Sequence, residues 1–179
     1  MPGKFGQLAA GAVIGIVLII LVALMAGLGV AYTGAYNVAA TQDHQPIVRW
    51  TLDTTMRNSV AGRAEDIKVP RLTDAMVAAG AKRYKAMCQH CHGGPGVEKS
   101  EWAKGMLPQP PHLPEVASEW EANEVYWLAK HGVRMSGMPA FGLTHSDDQL
   151  WEIAAFVKRL PGMTQDTYAS YENSSGHDN

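Results

Sequence analysis

The longest apolar run lies near the N-terminus. From Leu8 to Tyr32 no residue is charged and most are apolar. About 25 residues in a helix rise about 38 Å, more than a hydrocarbon core of about 30 Å. The pattern predicts one transmembrane helix. Lys4 and the chain's amino group precede the run, and the first charge after it is Asp43. Positive charge stays on the cytoplasmic side, so the remainder of the chain is expected outside. Val38-Ala39-Ala40 would pass as a signal cleavage site. A signal's apolar region, however, is about 7–15 residues, much shorter than this one, and an uncleaved anchor is expected. Gly11 and Gly15 sit at Gly-x-x-x-Gly spacing, and Ala23 and Gly27 repeat it on a neighbouring face. Such small residues allow another helix to approach closely.

Beyond the anchor the pattern changes twice. Tyr32, Tyr36 and Trp50 suit a membrane–water interface. Thr51 to Ala64 is polar, with Leu52, Met56, Ser59 and Val60 near one helical face. A short helix on the membrane or on a partner fits this stretch, and so does a solvated linker. Lys68-Val69-Pro70 reads as a boundary, because the residue before proline avoids helix. Thr73 then N-caps a helix whose apolar or small positions are Met76/Val77, Gly80/Ala81, Tyr84 and Met87/Cys88, a three-four spacing. Gly93 to Pro114 reads as loop. Ser118 with Glu121 suggests a capping box, and either there or slightly later a helix runs to His131, with Gly132 as its stop. Ser146 with Gln149 suggests another, opening a helix with the stripe Leu150, Ile153/Ala154, Val157 and Leu160. Pro161-Gly162 ends it, and the polar tail from Thr164 is expected to be disordered. The expected division is an anchor over 1–35, a linker over 36–70, an all-α domain over 71–163 and a tail over 164–179.

Composition narrows the chemistry. The 179 residues suit one domain and an anchor, and the net charge of −2 argues against a nucleic-acid partner. Two cysteines cannot build a disulfide framework. Both lie in Cys88-Gln89-His90-Cys91-His92, the Cys-x-x-Cys-His signature of covalent haem attachment. On one helical turn, positions three apart share a face. Two thiols so placed meet the vinyl groups along one porphyrin edge, and His92 projects its imidazole towards the iron. A structural zinc site would need a second ligand pair. A thioredoxin-like redox pair would need a βαβ context that is absent here. His90 is the variable residue between the cysteines and is expected to face solvent.

With these residues in place, 71–163 resembles class I cytochromes c. The resemblance rests on the order helix, CQHCH, proline-rich loop, helix, methionine loop, final helix, and on Gly137-Met138-Pro139-Ala140-Phe141 and Leu150 to Leu160. It implies an all-α fold around one covalent haem c, with Gly80 and Tyr84 of the first helix crossing Trp151 or Phe156 of the last. It implies a proline carbonyl bonded to the ligand histidine. Pro111 fits by position, with Pro110 and Pro108 nearby. Trp120, Tyr126 and Trp127 are either propionate partners or core aromatics. His44, His112, His131, His145 and His177 are expected as surface or loop residues.

The resemblance also implies a methionine as sixth ligand, which Met138 suits better than Met135. Gly137 relaxes the turn before it, and Pro139 pushes Met138 into an extended shape. Cys88, Cys91, His92 and Met138 are therefore the expected haem-binding residues, with His92 and Met138 on the metal. Electron transfer without a small-molecule substrate is the expected function, not enzymatic catalysis. An enzyme or gas sensor would need an open iron and a distal acid–base residue, for which only His131 and Arg134 are placed. The expected partners are membrane lipid and redox proteins, either transient ones or those of a multi-subunit respiratory complex. The expected location is a bacterial inner membrane, with the N-terminus cytoplasmic and the haem domain periplasmic.

Intact-mass analysis of membrane-purified protein is expected to give a start at or near Met1. A soluble product starting near Thr41 would overturn the uncleaved anchor.

Overall fold

A computed structural model of the chain describes residues 3–173. Among them the regular elements are helical, and the only extended pairing is an isolated bridge between Gly94 and Val97. Two compact units separate at Gln42 and Asp43. The first holds α1 (Lys4–Thr33), within which 28 residues from Gly6 are long and apolar enough to cross a membrane. The small-residue positions Gly11, Gly15 and Gly27 have no atom close to where a Cβ would stand.

The second unit is built on a crossing of two helices. These are α3 (Asp74–Arg83) and α8 (Asp147–Val157). Each starts at a local signal. The Thr73 side chain accepts from the Met76 amide, and Ser146 with Gln149 forms a reciprocal capping box. At the crossing, a Cβ on Gly80 would stand 1.9 Å from the Glu152 carbonyl oxygen and 3.0 Å from the Phe156 Cβ. Only glycine permits that approach. One turn on, Tyr84 is fully buried with its ring 5.3 Å from that of Phe156. Of the two aromatics expected here, Phe156 takes the place. Trp151 instead stacks on Tyr126 of α7 (Ala122–His131), at 4.2 Å between ring centres. Leu150, Ile153, Val157 and Leu160 are buried as the stripe requires. Arg83 joins Glu152 across the same crossing at 2.7 Å.

The structure departs from the expected pattern in four places. The stretch 46–64 forms a 19-residue helix, α2 (Pro46–Ala64), which lies wholly in the second unit and is buried there through its last turns. Val60 and Ala64 are buried, and the Asn123 side chain of α7 donates to the Ala64 carbonyl at 2.8 Å. That bond satisfies one of the carbonyls a helix end leaves unpaired. Arg57 adds an exposed pair with Glu119 at 3.0 Å and lies 5.0 Å from the Trp120 ring centre. Second, the box that opens α7 is Glu121 with Glu124, not Ser118 with Glu121. Ser118 lies within a 3₁₀ turn, Ala117–Glu119, so the chain is already turning there. Third, the tail after Thr164 is ordered as far as it is described. It forms α9 (Gln165–Asn173), whose Tyr168 is 2% exposed. Finally, the helix expected to run evenly to Cys88 widens into a π turn over Tyr84–Cys88 before α4 (Gln89–His92).

Gly80→Ala is expected to destabilise the haem-loaded protein by about 3 kcal/mol or more, the upper range for overpacking, because the obstruction is backbone. Denaturant unfolding followed by haem absorbance would measure it, and a change below about 0.5 kcal/mol would contradict the close crossing.

Candidate haem-binding site

The π turn sits where the haem motif begins. An extra residue in one turn shifts the helical register, a device concentrated at functional sites. Here the Gln89 amide bonds back to the Tyr84 carbonyl five residues earlier. Tyr84 in turn donates its hydroxyl to the Gly93 carbonyl at 2.9 Å, so the core residue beneath the motif also ties down its far end. Burial raises the Tyr84 hydroxyl's pKa far above that of a free phenol, and it stays a donor.

Gly93 requires glycine on two grounds. Its φ is +68°, and a Cβ there would stand 2.7 Å from the His112 ring. The chain then turns sharply, with Gly94 and Val97 exchanging amide–carbonyl bonds of 2.8 Å. The Ser100 amide closes back on the His90 carbonyl at 2.9 Å. His90 itself is exposed, as expected of the variable position.

The structure brings the His92 Nδ1 to 2.9 Å from the Pro111 carbonyl oxygen. A carbonyl can only accept, so Nδ1 carries the proton and Nε2 keeps its lone pair. Of the three candidate prolines, Pro111 makes this contact. Pro110, next to it, accepts from the Lys99 ammonium, which steadies the loop that aims the Pro111 carbonyl. Burial lowers the His92 pKa. The Pro111 bond partly opposes that effect, and the Lys99 charge adds to it, so the imidazole is neutral.

Cys88 and Cys91 are free thiols, three residues apart on the turn that ends in His92. Burial, and then the neighbouring Cys91 sulfur, pushes the Cys88 thiol up to about 12. Burial raises the Cys91 thiol as well. Both sulfurs are therefore protonated thiols at neutral pH. Both suit a neutral thioether. The donor set therefore fits a haem: Cys88 and Cys91 would be its covalent attachments and His92 Nε2 would be available to its iron. When bound, that group supplies a one-electron redox centre.

The methionine loop follows α7. Gly132, at φ +64°, packs on the Met138 carbonyl, which accepts from the Val133 amide at 3.3 Å. The Met138 amide donates to Ser136 Oγ at 3.2 Å, and Ser136 Oγ donates to the Val133 carbonyl at 2.7 Å. Met138 is half-buried, whereas Met135 is 86% exposed. Gly137 plays a different part from the one expected. Its φ is not positive; the left-handed residue in the loop is Met135, at φ 61°. What Gly137 provides is room, because a Cβ would stand 1.8 Å from the Met106 methyl carbon.

The other candidates are dispersed. Tyr126 is buried against Trp151 and its hydroxyl accepts from Lys130 at 3.0 Å. It is thus a core aromatic. Trp127 lies 4.7 Å from the exposed His131 ring. His145 bonds Thr144 Oγ1 at 2.9 Å, and His112 lies 3.3 Å from Glu115. His177 lies outside the described residues.

One part of the site was not foreseen. The Tyr168 hydroxyl of α9 donates to Gln89 Oε1, inside the haem motif, at 2.6 Å. The Lys85 ammonium donates to the Tyr168 carbonyl at 2.8 Å and lies 4.5 Å from its ring centre. Gly94 packs directly on that ring. The available signal was Tyr168 and Tyr171 at helical spacing behind Thr164, whose hydroxyl caps the Thr167 amide at 3.2 Å.

An attachment turn of two thiols and an oriented imidazole, wrapped by crossed helices, defines the class: this is a membrane-anchored c-type cytochrome domain carrying covalent haem c. Comparison with known proteins shows what this domain is similar to. Residues 75–157 match the family described as cytochrome c oxidase, cbb3-type, subunit III. The chain is 30% identical over 112 residues to the cbb3-type cytochrome c oxidase subunit FixP of Sinorhizobium medicae, covering 54% of this chain and 34% of that protein. FixP of Rhizobium meliloti matches to the same extent. The quinohemoprotein alcohol dehydrogenase ADH-IIG of Pseudomonas putida is 29% identical over 167 residues, covering 87% of this chain and 22% of that protein. The chain thus spans about a third or less of the curated relatives it matches. No solved structure matches significantly.

Tyr168→Ala is expected to cost the haem-loaded protein about 3 kcal/mol, in the range for losing a buried aromatic. Denaturant titration would test this, since loss of a disordered tail residue would leave the midpoint unchanged.

Proposed function

We propose that the chain is a tethered single-electron carrier whose haem iron is held by His92 and Met138. The observation that carries this is the fixed His92 imidazole, whose Nδ1 is committed to the Pro111 carbonyl, which leaves the Nε2 lone pair available to an iron. Met138 supports a closed sixth position, since its backbone is held on both sides while Met135 points to solvent. With both axial positions filled by protein, the iron has no place for a substrate, so the chain sets potential and partner distance.

The chain works on the outer face of a bacterial inner membrane, its N-terminus cytoplasmic, beside a larger redox assembly. The FixP similarity supports a place next to a terminal oxidase. The ADH-IIG similarity supports the same module serving a dehydrogenase, so the donor and acceptor belong to the partner. The residues proposed for haem binding are Cys88, Cys91, His92 and Met138. His131 and Arg134 are both exposed, which disfavours an enzymatic site over the iron.

Spectra and potentiometric titration of two variants test the ligand. Met138→Ala is expected to lose the methionine–iron charge-transfer band of the oxidised protein and to lower the potential, because a thioether favours the ferrous state. Met135→Ala is expected to keep the band and nearly the same potential. Loss of the band in Met135→Ala alone would transfer the ligand to that residue.

A further inference from the structure

α2 is divided along its length. Its last turns are buried against α7 at Val60 and Ala64. Its first two turns carry an apolar face that is left open among the described residues: Ile47 is 66% exposed and Trp50 63%, and Val48, Thr51 and Leu52 continue the same side. At 100° per residue, Ile47, Val48, Thr51 and Leu52 fall within one arc, Trp50 borders it, and Arg49 and Asp53 lie opposite. The opposite side is polar and internally paired. Arg49 meets Asp43 at 3.6 Å and Asp53 at 3.9 Å.

From this arrangement we infer that the N-terminal half of α2 lies in the outer membrane–water interface, its apolar face on the lipid, and so orients the haem domain over the bilayer. The inference rests on the retained α1 anchor. Lipid is the occupant that the chain's connectivity favours. α1 ends at Thr33 and α2 begins at Pro46, and the residues between, 34–45, reach at most about 40 Å when fully extended. The apolar face therefore cannot stray farther than about 40 Å from the end of the anchor. A narrow apolar arc opposite a paired polar one is the pattern of helices lying in an interface. Trp50, at the edge of the arc, is of the type that settles there, as are Tyr32 and Tyr36 at the end of the anchor. Because the far end of α2 is packed on α7, seating its near end on lipid removes much of the swing a free tether would allow. The haem domain would then meet its redox partners in a restricted set of orientations.

The test uses the full haem-loaded chain in vesicles of phosphatidylcholine with a minor share of phosphatidylglycerol. Nitroxide labels are placed one at a time through Ile47→Cys, Arg49→Cys, Thr51→Cys and Asp53→Cys, with Leu21→Cys in the anchor as reference. Cys88 and Cys91, once joined to haem, leave no thiol to label. Accessibility to oxygen and to a nickel chelate is read by power saturation. Labels at 47 and 51 are expected to show an oxygen-to-nickel ratio several-fold above those at 49 and 53, and below that at 21. Equal nickel access at all four α2 sites would overturn the inference. Protection of 47 and 51 from both reagents would also overturn it, by pointing to a protein cover. A lipid signal at 21 without one at 47 and 51 would refute the interfacial helix alone, whereas none at 21 would refute the anchor itself.

Discussion

Where α3 crosses α8, a backbone carbonyl occupies the place where a side chain on residue 80 would begin. That approach brings Tyr84 onto Phe156 and aims its hydroxyl at Gly93, at the far end of the haem motif. The attachment turn thus inherits its position from the tightest contact in the core. A small domain has limited apolar area with which to hold a large planar cofactor. Covalent attachment to a turn that is itself bolted to a helix crossing relieves the core of that task.

The motif is held from several directions by groups far apart in sequence. The Pro111 carbonyl accepts a hydrogen bond from the imidazole Nδ1, Tyr84 ties Gly93, the Ser100 amide closes on His90, and Tyr168 reaches Gln89 from α9. Such bonds matter more around a metal ligand than elsewhere, because the orientation and basicity of the imidazole tune the iron. The methionine loop shows a similar economy. Ser136 bridges two backbone groups, and Gly137 yields space to Met106. The left-handed residue is Met135, whose exposed side chain is free of the packing around it. Backbone strain of that kind persists only where neighbouring contacts enforce it.

If the near end of α2 rests on lipid as inferred above, the free tether between anchor and haem domain is limited to residues 34–45. A flexible connection of this length would let the domain sample many orientations. With α2 fastened to α7 at one end and, as inferred, seated on lipid at the other, the tether would act as a lever. Electron transfer depends steeply on distance and orientation, so a restricted domain searches fewer unproductive encounters.

The long apolar helix near the N-terminus, the Cys-x-x-Cys-His turn and the caps at Thr73 and Ser146 were legible in the residues alone. Each is a short-range signal, set by hydropathy over one helix or by spacing within one turn. The place of Gly80 was legible too, but only through the resemblance to class I cytochromes c. The packing of α2 on α7, the ordered α9, the cap at Glu121 and the part played by Gly137 were not. Val60 and Ala64 are two buried positions on a mostly polar helix, and their partner Asn123 lies 59 residues away. Tyr168 meets Gln89 across 79 residues. The choice of Pro111 among three prolines likewise depends on where the loop is carried back over His92. Local pattern reports what a segment prefers when considered singly. Which weakly apolar faces become buried, and which carbonyl faces the imidazole, is decided only when distant segments meet and exclude water from one another.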